Sequence, residues 1–378
     1  MSSDLTSDER WMRRCLELAA RGAGRASPNP MVGSVLVGPA REVLGEGWHE
    51  RFGEAHAERN ALSDAERAHP GRSFEDATLY VNLEPCNHHG KTPPCTDIIL
   101  EKRIQRVIVG MIDPFPAVSG SGIARLRSHG VSVCLGVLEA ECRQFNEAFV
   151  HRVQTGRPLV TLKIAQTLDG RIAAASGDAC WVSGETSRAL VHRWRAELDA
   201  VLVGAGTAAA DDPALTVRHV SGRQPVRVVL DRTGSLPPSL QLFTDAHVAS
   251  TVAVIGPGAR PAYAAALRAA GGRLVVVDEA AGHLDLRTVL DRLGSEGGPG
   301  GRRMNTVLVE AGPGLASALL EQDLVDRLAV FIAPKIIGDG APSFALPGIP
   351  RMTDAIRFSE YHWEPSGEDM LFLGYRRL

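Results

Sequence analysis

Two runs decide the reading: His56-Ala57-Glu58 and, further along, Glu84-Pro85-Cys86-Asn87-His88-His89-Gly90-Lys91-Thr92-Pro93-Pro94-Cys95. Imidazole nitrogen and thiolate sulfur are zinc ligands, and a catalytic zinc site keeps three protein ligands and leaves the fourth position to water. His56, Cys86 and Cys95 supply three such ligands. Glu58, two residues from His56, is placed to move protons without binding metal. Zinc draws the pKa of its water down to about 7, so a nucleophile is available at neutral pH.

The pattern H-x-E…P-C-x-x-C marks zinc enzymes that deaminate nucleobases, with the glutamate as general acid and base. This chain has the first half and the Pro-Cys, but eight residues separate its two cysteines where the pattern has two. The inserted run is rich in His, Lys and Pro, a shaped cationic loop suited to a small phosphorylated substrate. Two blander readings compete. Cys86 and Cys95 can be packing residues, as free cysteines often are. Alternatively, His88 or His89 can close a structural zinc site, which leaves Glu58 without a task.

With 378 residues, 44% hydrophobic and 22% charged, the chain has room for two globular domains. A net charge of −3 lacks the basic footprint of a nucleic-acid binder. Six cysteines in a chain this long are no disulfide framework, which points to a reducing compartment. No apolar leader opens the sequence, and no run approaches the ~18 apolar residues of a membrane span. The expectation is a cytoplasmic protein with neither membrane nor nucleic acid as partner. Whether it forms a homo-oligomer is left open.

Along the first half, Thr6-Ser7-Asp8-Glu9 makes a capping box for a helix with Met12, Cys15, Leu16 and Ala19 on one face. Pro28-Asn29-Pro30 is a rigid turn that feeds a strand from Ser34 to Val37, paired with Val43 to Trp48. His56 opens a helix. Residues two apart do not share a helix face, so His56 and Glu58 must sit at its first turn. A strand from Ala77 to Leu83 runs into the Cys86–Cys95 loop, and a helix follows from Thr96. Then come strand Val107 to Gly110, helix Gly122 to Ser128, strand Val131 to Cys134 and helix Glu139 to Arg152. That alternation predicts a parallel or mixed sheet with helices on both faces.

Thr155-Gly156-Arg157-Pro158 is the expected boundary, giving domains 1–153 and 154–378. Beyond it, Leu159 to Ala165 and strands ending at Gly204, Asp231, Ile255, Val277 and Glu310 alternate with helices, and the last third reads as antiparallel strands. Gly294 to Gly301 reads as a mobile surface loop. Strand Thr306 to Glu310 runs into Ala311-Gly312-Pro313-Gly314 and a helix, a turn whose N–H groups suit a phosphate, though such turns are common. It is not the G-x-G-x-x-G fingerprint.

These residues together resemble the bifunctional deaminase/reductase family of riboflavin biosynthesis. The zinc motif carries the likeness in the first half. Lys163, Thr167-Leu168-Asp169-Gly170, Trp181, Val203-Gly204-Ala205-Gly206-Thr207, Ala210-Asp211-Asp212-Pro213-Ala214-Leu215-Thr216-Val217-Arg218 and Glu310 carry it in the second. The resemblance implies an α/β chain: a cytidine-deaminase-like α/β/α domain followed by a dihydrofolate-reductase-like α/β domain. It further implies zinc and NADPH as cofactors. Asn29 and His88 would meet substrate in the first domain. In the second, Ala179, Arg195, Leu215, Arg218 and Glu310 would meet substrate, and Lys163 and Asp211 would serve catalysis. NADPH contacts would fall at Ala165, Trp181, Thr207, Asp211, Arg232 and the run Gly312-Pro313-Gly314-Leu315-Ala316-Ser317-Ala318.

Chemistry agrees with parts of this. Guanidinium groups at Arg195 and Arg218 match phosphate geometry, and Arg232, just after a strand, suits the cofactor's 2′-phosphate. Glu310 can accept from pyrimidine amino groups. The chain departs from the family's usual residues at Asn87 and Ala179, where Ser is common, and at Ala55, where Pro often stands. The implied reactions are removal of the 2-amino group of a diaminopyrimidinone ribosyl phosphate, then NADPH reduction of ribosyl to ribityl. A zinc deaminase of free or nucleic-acid bases with an unrelated C-terminal domain is the alternative.

Overall fold

Glycines at 45 and 47 let a helix lie directly on a strand in the first half of the chain. A Cβ on Gly47 would come within 2.3 Å of the Ala61 nitrogen, and one on Gly45 within 2.3 Å of the Ala61 oxygen. The strand is β2 (Val43–Trp48) and the helix is α2 (Ala57–Ala68), which carries Glu58 in its first turn. In this computed structural model, residues 7–116, 118–298 and 301–376 are described, and the chain divides after Thr155 into two units.

In the first unit, β1 (Gly33–Val37), β2, β3 (Thr78–Leu83), β4 (Arg106–Met111) and β5 (Ser132–Leu135) form one sheet in the order β2-β1-β3-β4-β5. β1 is antiparallel to both neighbours, while β3, β4 and β5 are parallel. Alternation along β1 sends Leu36 to one face and Val35 and Val37 to the other. Leu36 joins Leu62 of α2 and residues of α3 (Cys95–Glu101) and α4 (Ser121–Ser128). Val35 joins Met12, Cys15 and Leu18 of α1 (Ser7–Ala20) with Cys142 and Val150. Helices thus cover both faces. Thr6, expected as the N-cap of α1, lies outside the described residues.

The helix expected from Glu139 to Arg152 is two helices, α5 (Glu139–Phe145) and α6 (Glu147–Thr155). The break falls at Asn146, whose buried side chain accepts from Met31 N and donates to Met31 O. Asn82 adds a second grip on the same segment, donating to Met31 O and accepting from Gly33 N. The turn from Pro28 to Gly33 is therefore set by partners distant in sequence.

The second unit is built on nine strands in the order β11-β10-β9-β8-β14-β6-β15-β18-β17. They are β6 (Leu159–Thr167), β8 (Ala200–Gly204), β9 (Val226–Leu230), β10 (Thr251–Ile255), β11 (Arg273–Val276), β14 (Thr306–Glu310), β15 (Arg327–Ala333), β17 (Glu360–Ser366) and β18 (Asp369–Tyr375). Neighbours from β11 to β15 are parallel, and β18 and β17 add an antiparallel edge. Two short pairs complete the strands: β7 (Arg171–Ala174) with β16 (Gly340–Pro342), and β12 (Glu279–Ala280) with β13 (His283–Leu284). The helices are α7 (Glu185–Glu197), α8 (Ala205–Asp211), α9 (Gln241–Thr244), α10 (Pro261–Ala269), α11 (Leu286–Ser295) and α12 (Pro313–Glu321).

The glycine-rich run is not a surface loop throughout. Gly294 belongs to α11, and Gly297 and Gly298 are buried, with Arg273 donating to both carbonyls. Residues 299 and 300 lie outside the described set. Because β14 enters between β8 and β6, the strand order changes direction there, and such a point opens a crevice at the strands' C-terminal ends.

Candidate active sites

His56 is the N-cap of α2, with extended backbone (φ −78°, ψ 165°). That extended residue aims its ring independently of the helix, so His56 and Glu58 both turn inward although they share no helix face. Nδ1 of His56 lies 3.5 Å from Cys86 Sγ and 3.4 Å from Cys95 Sγ. The three ligand atoms lie within 4.8 Å of one another. Cys86 leaves the end of β3 and Cys95 begins α3. Their bracket is closed by Cys95 N donating to Cys86 Sγ (3.3 Å) and Thr96 N donating to Cys86 O (3.2 Å).

The donor set fits zinc: one imidazole nitrogen and two sulfurs converge on one point. The sulfurs' own electrostatics asks for a cation. Hydrogen bonds from Cys95 and then His56 pull the Cys86 thiol down to about 4 despite its burial, while Cys86 and burial push Cys95 far up. Two touching sulfurs share one negative charge until a cation joins them. Among the described residues, His88 and His89 stand outside this cluster and exposed, which disfavours a closed structural site.

Glu58 is 3% exposed, beside Cys95. Burial, then the Cys86 charge, raises its carboxyl to about 7, in the range of a group that exchanges protons at neutral pH. Sequence reasoning passed over His49. It is buried, its ring meets His56 edge-on at 5.3 Å, and its Nδ1 donates to Ala55 O. With that tautomer, Nε2 accepts from the Asn29 amide at 3.1 Å and fixes its orientation. Burial lowers the His49 pKa and keeps the ring neutral. In the inserted loop, the Lys91 ammonium lies over the Phe52 ring at 4.1 Å.

In the second unit a cleft of about 850 Å³ opens beside the ends of β6, β8 and β14. Lys163, Ala165, Ala179, Trp181, Arg195, Thr207, Asp211, Leu215, Arg218, Glu310 and Gly312 all line it. Lys163 and Glu310 are register partners on adjacent parallel strands. Arg195 grips both Glu310 oxygens, at 2.6 and 3.0 Å, and donates to Thr216 O. Burial alone would raise the Glu310 carboxyl, but the charges of Arg195 and Lys163 hold it down to about 2. Burial lowers the Lys163 pKa, and Glu310 partly offsets this.

Several expected contacts sit differently. Arg195 is committed to Glu310 rather than free for a phosphate, which leaves Arg218 as the exposed guanidinium of the cleft. Arg232 lies off the cleft lining, ion-paired with Glu279 at 2.9 Å. Of the run from Gly312 to Ala318, only Gly312 lines the cleft. Ala316 is core, and the buried Ser317 hydroxyl accepts from Ala345 N. Pro313, Gly314, Leu315 and Ala318 are likewise off the lining.

Residues missed in the sequence complete the cleft. His192 is buried, accepts at Nδ1 from Arg218 N and meets His219 edge-on at 4.5 Å. Burial and then Arg195 lower its pKa to about 4. The Arg188 guanidinium stacks on Trp181 at 4.1 Å, and Lys335 Nζ donates to the Trp181 carbonyl at 2.7 Å. Trp181, Asp212 and Leu215 all have positive φ, a cluster of unfavourable backbone states of the kind found at binding sites. No spacing rule could have found Lys335.

A buried three-ligand metal site with an adjacent glutamate defines a zinc deaminase of the cytidine-deaminase class, and the strand-end cleft belongs to a reductase domain. Residues 5–111 match the cytidine and deoxycytidylate deaminase zinc-binding region, and residues 158–372 match the RibD C-terminal domain. The chain belongs to the RibD family, bifunctional deaminase/reductases of riboflavin biosynthesis. It is 39% identical to the riboflavin biosynthesis protein RibD of Synechocystis, over 98% of this chain and 97% of that one. The Escherichia coli RibD is 39% identical, over 93% and 94%. Acinetobacter baumannii RibD superposes with a TM-score of 0.86 at 33% identity, over 98% and 99% of the two chains. A Thermotoga maritima structure described as a diaminohydroxyphosphoribosylaminopyrimidine deaminase/5-amino-6-(5-phosphoribosylamino)uracil reductase gives 0.83 at 36%, over 98% of each. The alternative with an unrelated C-terminal domain is overturned by the match over 158–372. No helix among the described residues is long and apolar enough to cross a membrane.

Proposed function

We propose that the unit ending near Thr155 deaminates a diaminopyrimidinone ribosyl phosphate at its 2-amino group, and that the following unit reduces the deaminated product's ribosyl chain to ribityl. The observation that supports this most is the convergence of His56, Cys86 and Cys95 beside a buried Glu58 in a chain that also carries the reductase cleft. Zinc, held by those three residues, supplies a Lewis acid and an activated water. Glu58 takes a proton from the nucleophile and delivers it to the departing amine, which suits a carboxyl near neutrality. Asn29, oriented by His49, positions the pyrimidine, and His88 in the exposed loop meets the phosphorylated end.

NADPH supplies hydride in the second unit. Lys163 offers an N–H donor on the cleft wall to the ribosyl oxygen or nitrogen that gains a proton, and Asp211 lines the same cleft with Thr207. Glu310 with Arg195 presents a fixed carboxylate to the pyrimidine amino groups, Arg218 takes the phosphate, and Ala179 and Leu215 shape the pocket. Ala165, Trp181, Thr207 and Gly312 face the cofactor. The chain acts in the cytoplasm on small molecules and not on nucleic acid, consistent with a net charge of −3. Ammonia release from the diamino substrate and NADPH oxidation with the deaminated one test the two halves. A chain that releases ammonia but never oxidises NADPH would overturn the second.

A further inference from the structure

The Cys86–Cys95 bracket is held from behind by side chains that do not reach the metal position. Asn87 follows Cys86, and Thr96 follows Cys95. The Thr96 hydroxyl, fully buried, donates to Asn87 Oδ1 at 3.1 Å. Arg125 Nη1 of α4 donates to Asn87 Oδ1 at 2.9 Å and to the Thr96 hydroxyl at 3.1 Å, and pairs with Asp97 at 2.7 Å. Asn87 Nδ2 reaches Ser121 O at 3.5 Å. One carboxamide thus accepts from two donors while its other end turns to a carbonyl, which a serine hydroxyl on its shorter stem cannot reproduce.

We propose that Asn87, Thr96 and Arg125 form a clamp that fixes the spacing of the two sulfur ligands, so that this chain's hold on zinc depends on residues that never touch it. The inference rests on the assignment of His56, Cys86 and Cys95 as zinc ligands. Groups behind the ligands set their orientation, and losing one weakens metal affinity by roughly 10–100-fold. The clamp ties both ligands' neighbours to each other and to α4, so its loss frees Cys86 to move against Cys95. Asn87 and Arg125 are therefore positioning residues.

The test is competition for zinc between a chromophoric chelator and the full-length chain, with circular dichroism and cooperative thermal unfolding as the check on folding. Wild type is expected to hold one zinc. Asn87→Leu and Arg125→Met should each raise the zinc dissociation constant about 10–100-fold. The double variant should be little worse than either single one, because both break one network. Asn87→Ser, the mildest change, should fall between wild type and Asn87→Leu. If all variants bind zinc as wild type does, the clamp is overturned. If wild type itself binds none, the ligand assignment fails instead. Should Asn87→Leu not fold, Asn87→Ser and Arg125→Met carry the same decision.

Discussion

The two sites are built on opposite plans. The zinc site draws its ligands from two short runs, His56 at the start of α2 and Cys86 and Cys95 at the two ends of one loop, with the cysteines bracketed by their own backbone. The reductase cleft collects Lys163, Arg195, Leu215, Arg218 and Glu310 from separate strands, helices and loops spread over some 150 residues of chain. A three-ligand site fails outright when a ligand is lost and weakens by degrees when the clamp behind the ligands is cut. A distributed cleft has many weaker supports, so most single changes should wound it rather than empty it.

The sharpest way to break this contrast is Cys86→Ser or Cys95→Ser. Each should take bound zinc from one per chain to none and abolish ammonia release, with NADPH oxidation unchanged. Metal analysis showing full zinc in either variant would overturn the ligand set. Next is Glu58→Ala, which should keep its zinc yet lose roughly 10²–10⁴-fold in deamination, as for a missing general acid and base. If it also stopped NADPH oxidation, the two sites would not be independent.

In the cleft, Lys163→Ala should cost roughly 10²-fold in NADPH oxidation with ammonia release spared, the scale of one lost electrostatic donor. Glu310→Ala sharpens the comparison through stability. It leaves Arg195, whose side chain is only 10% exposed, without its carboxylate, and should destabilise the second unit by about 3 kcal/mol in urea unfolding. The pH sign follows from its depressed pKa of about 2. The stability Glu310 supplies is complete above about pH 4.5 and drains as pH falls towards 2. A loss of wild-type stability over that window that is smaller in Glu310→Ala is the expected signature.

The smallest effect belongs to Arg232→Ala. An exposed guanidinium already paired with Glu279 should alter the preference for NADPH over NADH by less than about fivefold. A larger change in the ratio of the two Michaelis constants would move Arg232 back into the cofactor site.

By itself the sequence picked out His56, Cys86 and Cys95, which the fold brings together, the glutamate beside them and the alternation of strands and helices in both halves. Ligand chemistry and hydrophobic period are properties of neighbours in the chain, so they can be read locally. Only tertiary structure decided the partnerships. That Arg195 is spent on Glu310, that Asn146 ends one helix to hold Met31, that His49 orients Asn29, and that Ser317 faces the core depend on which side chains packing brings together. Hydrogen-bond capacity is finite, and which group uses it up is settled by contact across the fold, where sequence distance carries no information.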